Sequence, residues 1–290
     1  MKSWAAALLL TAWTLAPDLA RAADQAVILM YHRFGETKFA STNIRLEQFE
    51  AHITELKSGP YTVLPVSEIV AKIQAGAPLP ERTVGITVDD GYLSVFKEAW
   101  PRRRAAGLPF TVFISTDLAD AGAASYMGWA QIRQLRDAGV EIGAHTASHP
   151  HMIAAGAARL DDEMQKSNAR FKAELGAVPD FFAYPYGEAG PRERALALKT
   201  GYRTAFGQHS GVFHKSSEAS YIPRFALNES FGAIGRFQLV INTLAMPVAD
   251  VAPIDAGIGA VNPPNFGFTV TGDIGNLKNL GCFSSSEGRA

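Results

Sequence analysis

Apolar positions along this chain follow two rhythms: short continuous runs, and stripes three to four residues apart. The runs Ala26–Tyr31, Thr83–Val88, Phe110–Ser115, Val140–Ala144, Phe181–Tyr184 and Tyr202–Phe206 read as buried strands, with a short one at Tyr61–Leu64 and a last at Ile222–Phe225. Between them, Leu46, Phe49, Ile53 and Leu56 recur at helical spacing until Gly59-Pro60, and Val66, Ile69, Val70 and Ile73 form the next helical face. Val95, Phe96 and Ala99 predict a third helix that Pro101 bends or ends. Trp129, Ile132 and Leu135 predict a fourth, closed by Gly139. Leu160, Met164, Phe171 and Leu175 stripe a longer helix capped by Gly176, and Glu193–Thr200 forms another stopped by Gly201. Continuous apolar strands alternating with amphipathic helices imply a largely parallel sheet covered on both faces. Seven or eight such units in roughly 220 residues predict an α/β fold closed, or nearly closed, into a barrel, with an open doubly wound sheet as the alternative.

The two ends have a different character. Lys2, the apolar stretch Ala5–Leu15 and Ala20-Arg21-Ala22 form a signal-peptide pattern over residues 1–22, too short in its apolar part to span a bilayer comfortably. Export to a periplasmic or extracellular location is therefore expected, with no integral membrane segment once the leader is removed. The main domain would occupy residues 23–244. Residues 245–290 are rich in Gly, Pro, Asn and Ser, with strand-like pieces such as Phe266–Thr271, and read as a C-terminal tail or part of a small β-module.

Composition narrows the partners. Hydrophobic residues make up 47% of the 290 and charged ones 19%, enough for a large core and too apolar for disorder. A net charge of −1 gives no footprint for nucleic acid or an anionic membrane, so a neutral substrate fits better. Cys282 is the one cysteine, and the fold cannot rest on an intrachain disulfide.

Polar residues gather where the strands end. His32, Asp89, Asp90, His145 and Tyr186 all follow apolar runs, on the side where α/β barrels carry their active sites. Asp89 and Asp90 stand together at the mouth of a buried strand, where desolvation and mutual repulsion oppose their ionisation unless a cation is near. His145-Thr146-Ala147-Ser148-His149 is an H-x-x-x-H array; on a helical turn both imidazoles would reach one ion. Two His and one carboxylate leave open coordination positions, as a catalytic metal site needs. The second Asp would then be free to take a proton from water. Pro185-Tyr186-Gly187 after a strand makes a rigid turn able to aim a backbone N–H at an oxyanion. Each stretch alone also reads as ordinary structure: a turn, a pair of capping histidines, an aromatic plug.

Taken together, Thr87-Val88-Asp89-Asp90-Gly91, His145-Thr146-Ala147-Ser148-His149 and Ala183-Tyr184-Pro185-Tyr186-Gly187 resemble, in order and spacing, the three motifs T-F-D-D-G, H-[ST]-x-x-H and R-x-P-Y-G of the polysaccharide deacetylases, carbohydrate esterase family four. The resemblance covers roughly residues 26–230, and in layout it is similar to the poly-N-acetylglucosamine deacetylase branch. It implies a distorted (β/α) barrel and metal-dependent removal of N-acetyl groups from an N-acetylhexosamine polymer. In that reading Asp89 is the general base, Asp90, His145 and His149 are the metal ligands, and the Tyr186 N–H serves the oxyanion. The metal would be zinc by default, with cobalt, nickel or iron compatible with the same ligands. Trp129 resembles the family's pocket-wall Trp, with core packing as the alternative. Two departures stand out. Ala183 replaces the motif Arg that orients the base, a cation Arg224 could supply instead, and the late L-x-H motif carrying the general acid is missing, which makes His32 the candidate acid ahead of His209 and His214. The alternatives are an O-acetyl (acetylxylan-type) esterase with the same site, a catalytically weak glycan-binding relative, and a hydrolase of small amides. No Gly-x-Ser-x-Gly elbow suggests a serine esterase. The oligomeric state is not legible from these patterns.

Overall fold

The structure, a computed structural model, describes residues 23–253 and 264–276, together with 278, 280, 281, 283, 284, 288 and 289. The expected leader, residues 1–22, and Cys282 lie outside the described residues. In chain order the first half comprises β1 (Gln25–Tyr31), β2 (Arg33–Phe34), β3 (Asn43–Ile44), α1 (Leu46–Ser58), β4 (Thr62–Val63), α2 (Val66–Gln74), β5 (Thr83–Val88), α3 (Trp100–Ala106), β6 (Thr111–Ile114) and α4 (Thr116–Asp120). Then follow α5 (Trp129–Asp137), β7 (Glu141–Ala144), α6 (Ala157–Leu175), β8 (Phe181–Ala183), α7 (Pro191–Lys199), β9 (Thr204–Phe206), β10 (Phe213–His214), β11 (Phe225–Ala226), α8 (Ile234–Ile241), β12 (Val248–Ala252) and β13 (Gly267–Val270).

The main sheet runs β10-β1-β5-β6-β7-β8-β9, with β4 also on β5 and β11 also on β1. Its pairings are parallel except for β10 on β1, so the sheet is mixed and strongly curled. The chain from Ile222 to Ala226 bridges its far edges: Ile222 pairs with Phe206 of β9, and Phe225 with Leu29 of β1. The expected distorted barrel is thus present, sewn along one side by a single short segment.

Alternation along each strand separates two cores. Val27, Leu29 and Tyr31 face outward with Val84, Ile86 and Val88, under helix residues including Phe49, Ile132 and Phe171. Ala26 and Ile28 face the other way, with Phe113, Phe206, Ile222 and the α2 stripe Val66, Ile69, Val70 and Ile73. Both faces being apolar, the strands lack a polar side, which explains their continuous hydrophobic runs. Gly143 in β7 permits this packing, because a Cβ there would sit 2.4 Å from the Phe113 ring.

Two local expectations need correction. Pro101 begins α3 rather than ending the helix before it. A π-helical turn at Val95–Ala99, with the Trp100 N–H on the Val95 carbonyl, feeds directly into α3, and this bulge in the hydrogen-bond ladder accommodates Pro101 without ending the helix. Helix α8 escaped the pattern although Phe237, Val240 and Ile241 are buried; Phe237 stacks on the buried His52 ring at 3.8 Å. In the C-terminal segment, β12 pairs antiparallel with β13.

Candidate active site

Parallel neighbours deliver their C-terminal ends to one edge, and β1, β5, β7 and β8 end there in His32, Asp89-Asp90, His145 and Tyr184-Pro185-Tyr186. The two aspartates part company because Asp90 adopts a left-handed backbone, φ 72°, which turns its carboxylate away from that of Asp89. The Asp89 carboxylate, fully buried, meets Arg224 from the sewing segment: Nη1 lies 2.7 Å from Oδ1 and Nη2 2.7 Å from Oδ2. Arg224 also donates to the Gly207 carbonyl (2.8 Å) and the Thr87 hydroxyl (3.0 Å), and Thr87 in turn donates to the Leu29 carbonyl (2.7 Å). Burial opposes the Asp89 charge, but Arg224 outweighs it and holds the carboxyl below its usual range.

Asp90 faces the imidazoles. His145 Nε2 and His149 Nε2 each lie 3.2 Å from Asp90 Oδ1, and one ligand atom from each of the three residues falls within 4.8 Å of the others. His145 Nδ1 donates to the Ala183 carbonyl at 2.7 Å, which leaves Nε2 of the neutral ring as a lone pair facing a carboxylate oxygen. Despite their proximity, Asp90 Oδ1 and His145 Nε2 are buried without a hydrogen-bond partner. Two convergent acceptors with nothing between them are costly, and a cation resolves the conflict. The donor set, two imidazoles and one carboxylate, fits a divalent metal with positions left open. Burial weighs against the Asp90 charge too, and only positive charge at the imidazoles, whether a second ring proton or a cation in its place, holds its carboxyl well below the ordinary value.

The array from His145 to His149 is not a helical turn, as its spacing suggested. It is a loop in which Thr146 (φ 63°) and His149 (φ 59°) are left-handed. Two reversals within four residues bring the imidazoles together, with ring centroids 4.8 Å apart. The Thr146 hydroxyl accepts the His149 N–H (3.0 Å), and the Glu163 carboxylate accepts those of Ala147 and Ser148 (3.2 and 2.8 Å).

A cleft of about 580 Å³ opens beside this centre, lined by His32, Asp90, His149 and Tyr186 among the predicted residues, and by Tyr92, Tyr126, Gln208 and Asn228 among others. His32 is half-buried; burial depresses its imidazole pKa, against the opposing pull of Asp90 and Asp89. Tyr186, left-handed at φ 59° and exposed, stacks on His151 (3.8 Å) and meets His149 edge-on (4.6 Å). Trp129 is not a cleft wall. Its indole N–H donates to Asp120 and its ring packs edge-on against Phe171, because the stripe that carries it faces α6. Tyr92 and Tyr126, with rings 4.8 Å apart, form that wall instead. His209 stacks on Tyr221 outside the cleft lining, and His214 belongs to β10. Glu163 is a site residue the sequence reading missed, although a glutamate on the apolar stripe of α6 was a visible signal.

Comparisons with known proteins agree with this geometry. The family model described as Polysaccharide deacetylase matches residues 76–205, a span that holds Asp89, Asp90, His145, His149 and Tyr186 but neither His32 nor Arg224. YxkH of Bacillus subtilis (strain 168), whose name places it among the polysaccharide deacetylases, is 26% identical over 185 residues, 64% of this chain and 65% of its own length. The poly-beta-1,6-N-acetyl-D-glucosamine N-deacetylase of Escherichia coli (strain K12) is 25% identical over 227 residues, 63% of this chain but 33% of the relative. The chain thus spans less than two thirds of the length of either relative. In fold, it matches the Streptococcus pyogenes deacetylase PplD, solved in complex with acetate, with a TM-score of 0.70 at 18% identity, covering 76% of this chain and 99% of that one. The three motifs, the candidate ligand cluster and the curled sheet thus coincide in a chain that, over residues 76–205, is similar to the polysaccharide deacetylases.

Proposed function

We propose that this protein is an exported, metal-dependent hydrolase that removes N-acetyl groups from a neutral N-acetylhexosamine polysaccharide. The observation that carries the reading is the pairing of two differently partnered aspartates: Asp90 with His145 and His149, Asp89 with Arg224. A divalent cation held by Asp90, His145 and His149, zinc by default, would supply Lewis acidity toward an acetyl carbonyl and lower the pKa of water.

The chain's own groups account for the rest. Asp89, kept ionised and fixed in direction by Arg224, takes the proton of the attacking water; each carboxylate oxygen keeps a second lone pair beyond its bond to the guanidinium. The Tyr186 N–H, aimed by the left-handed turn, serves the oxyanion. His32 at the cleft wall gives a proton to the departing amine. Among the described residues, those lining the cleft include no Lys or Arg, which favours a neutral glycan over one bearing carboxylates or phosphates. The name of the Escherichia coli relative supports an amide over an ester. An acetylxylan-type esterase would use the same groups and is the second reading.

Acetate release from partly acetylated chitooligosaccharide, poly-β-1,6-N-acetylglucosamine fragments and acetylxylan tests this, with and without a chelator and with metal added back. Release from the amide substrates that stops on chelation, returns with metal and falls by orders of magnitude in Asp89→Asn is expected. Faster release from acetylxylan would select the esterase, and release indifferent to chelation would overturn the metal site.

A further inference from the structure

The metal-ligand loop rests on a carboxylate that the chemistry above does not use. Glu163 lies on the buried stripe of α6, beside Leu160, Met164 and Ser167, and is 8% exposed. Its Oε2 accepts the N–H of Ala147 (3.2 Å) and of Ser148 (2.8 Å), and its Oε1 accepts the Ser148 hydroxyl. Among the described residues no Lys or Arg forms an ion pair with it, so its bonds go to the loop alone. Those two residues lie between the left-handed Thr146 and His149, where the chain reverses twice. A non-glycine residue in that backbone region costs about 1–3 kcal/mol, and it persists only where surroundings fix it. The other restraints on the loop act on different atoms: Thr116 N–H on the Thr146 carbonyl (3.3 Å), Asp117 N–H on the Ala147 carbonyl (2.9 Å), and Thr146 Oγ1 on the His149 N–H (3.0 Å). None of them satisfies the amides of Ala147 and Ser148.

We propose that Glu163 is a positioning residue for the metal centre: by gripping residues 147 and 148 from α6 it sets where His149 Nε2 stands relative to Asp90 and His145. The inference rests on the reading of Asp90, His145 and His149 as metal ligands. His145 does not depend on this grip, since β7 and the Ala183 carbonyl hold it. Asp90 does not either, since it follows β5 directly. His149 alone stands at the far end of the loop, five positions beyond the end of β7, and an error in the turn displaces it first. Glutamine at position 163 keeps the shape but removes the charge: its neutral amide oxygen grips the two N–H groups more weakly than a carboxylate does, and its NH₂ would face the Ser148 hydroxyl and reverse that bond.

The test is zinc affinity, by competition with a chromophoric chelator, for wild type, Glu163→Gln, Glu163→Asp and Ser148→Ala, alongside thermal unfolding of each in its metal-free form. Wild type that binds no zinc ends the ligand reading itself, whatever the variants do. Given binding by wild type, Glu163→Gln should lose about 10- to 100-fold in affinity, the range for groups that orient metal ligands. Ser148→Ala, which removes one of the three bonds and keeps the carboxylate, should lose less, and Glu163→Asp should recover part of the loss. A Glu163→Gln protein that unfolds at lower temperature yet binds zinc as wild type does would make Glu163 a structural residue only, and would overturn the proposal. Should Glu163→Gln fail to fold, unchanged affinity in Ser148→Ala and Glu163→Asp together would overturn it equally.

Discussion

Replacing Arg224 by Met exposes how much of the site depends on one ion pair. Met keeps an unbranched chain of similar reach but removes both 2.7 Å bonds to Asp89, leaving a fully buried carboxylate without its cation. A unit-charge pair about 4 Å apart at an effective dielectric near 20 is worth about 4 kcal/mol, and removing one partner of a buried pair costs about 3–5 kcal/mol. Asp89→Asn should cost a comparable amount, because it strands the guanidinium. The double variant should cost less than the two singles added, by at least about 2 kcal/mol, since neither charge then remains buried. Urea denaturation of the four metal-free proteins supplies the cycle. The pH dependence gives a second check with a fixed sign. In wild type the Asp89 carboxyl lies below its ordinary value, so its stabilisation is present above about pH 4 and lost as pH falls further. In Arg224→Met, burial is opposed only by the His145 and His32 imidazoles, so that pKa rises, the native state takes up a proton on acidification and the cost of the substitution shrinks as pH falls. Costs that add to within about 0.5 kcal/mol, or a cost independent of pH, would refute the coupling.

His52, buried between Tyr31 and the Gly232 carbonyl, has its pKa pushed down from 6.5 to about 4 by burial. Its neutral form therefore stabilises the fold fully above pH 6.5, and about 3 kcal/mol is lost as pH falls from there to 4, because the unfolded chain binds the proton first. The stability of His52→Gln, subtracted from that of wild type at each pH, should isolate this slope, and parallel curves would sink the assignment. Gly143→Ala places a methyl 2.4 Å from the Phe113 ring and 3.3 Å from the Phe181 carbonyl. A loss of about 1–3 kcal/mol is expected by denaturant titration, partly recovered when Phe113→Leu is added.

The sheet was legible because strands buried on both faces write themselves as unbroken apolar runs. β5 at Thr83–Val88 matches its run residue for residue, and the ends of α1, α5 and α6 fall within a residue or two of the expected Gly stops. What the periodicity could not carry was anything set by contacts across the chain. Helix α8 has a short stripe whose meaning depends on His52, 185 positions before Phe237. Trp129 sits on a helical stripe that serves equally for a core or a cleft, and only the position of Phe171 decides between them. Arg224 was legible for a chemical reason: the third motif lacked its cation, and a buried aspartate requires one from somewhere.

The loop from His145 to His149 marks the other boundary. Spacing of i and i+4 names the same two candidate ligands whether the backbone is helical or not, so the structure brings the two histidines together although the helical turn is absent. The actual conformation is one that sequence propensity argues against: Thr is β-branched, and a left-handed Thr146 is a poor choice unless something outside the loop enforces it. Among the described residues seven non-glycine positions have positive φ, and four of them, Asp90, Thr146, His149 and Tyr186, belong to this one site. Strands arrive at the sheet edge pointing outward along their own axes, whereas a metal needs ligands pointing toward one another. Each left-handed residue is a place where the chain turns from the first direction to the second. At about 1–3 kcal/mol apiece, four such turns approach the whole stability of an ordinary domain, so the Glu163 and Thr146 hydrogen bonds and the deep apolar strands beneath are what allow the site to exist in a folded protein.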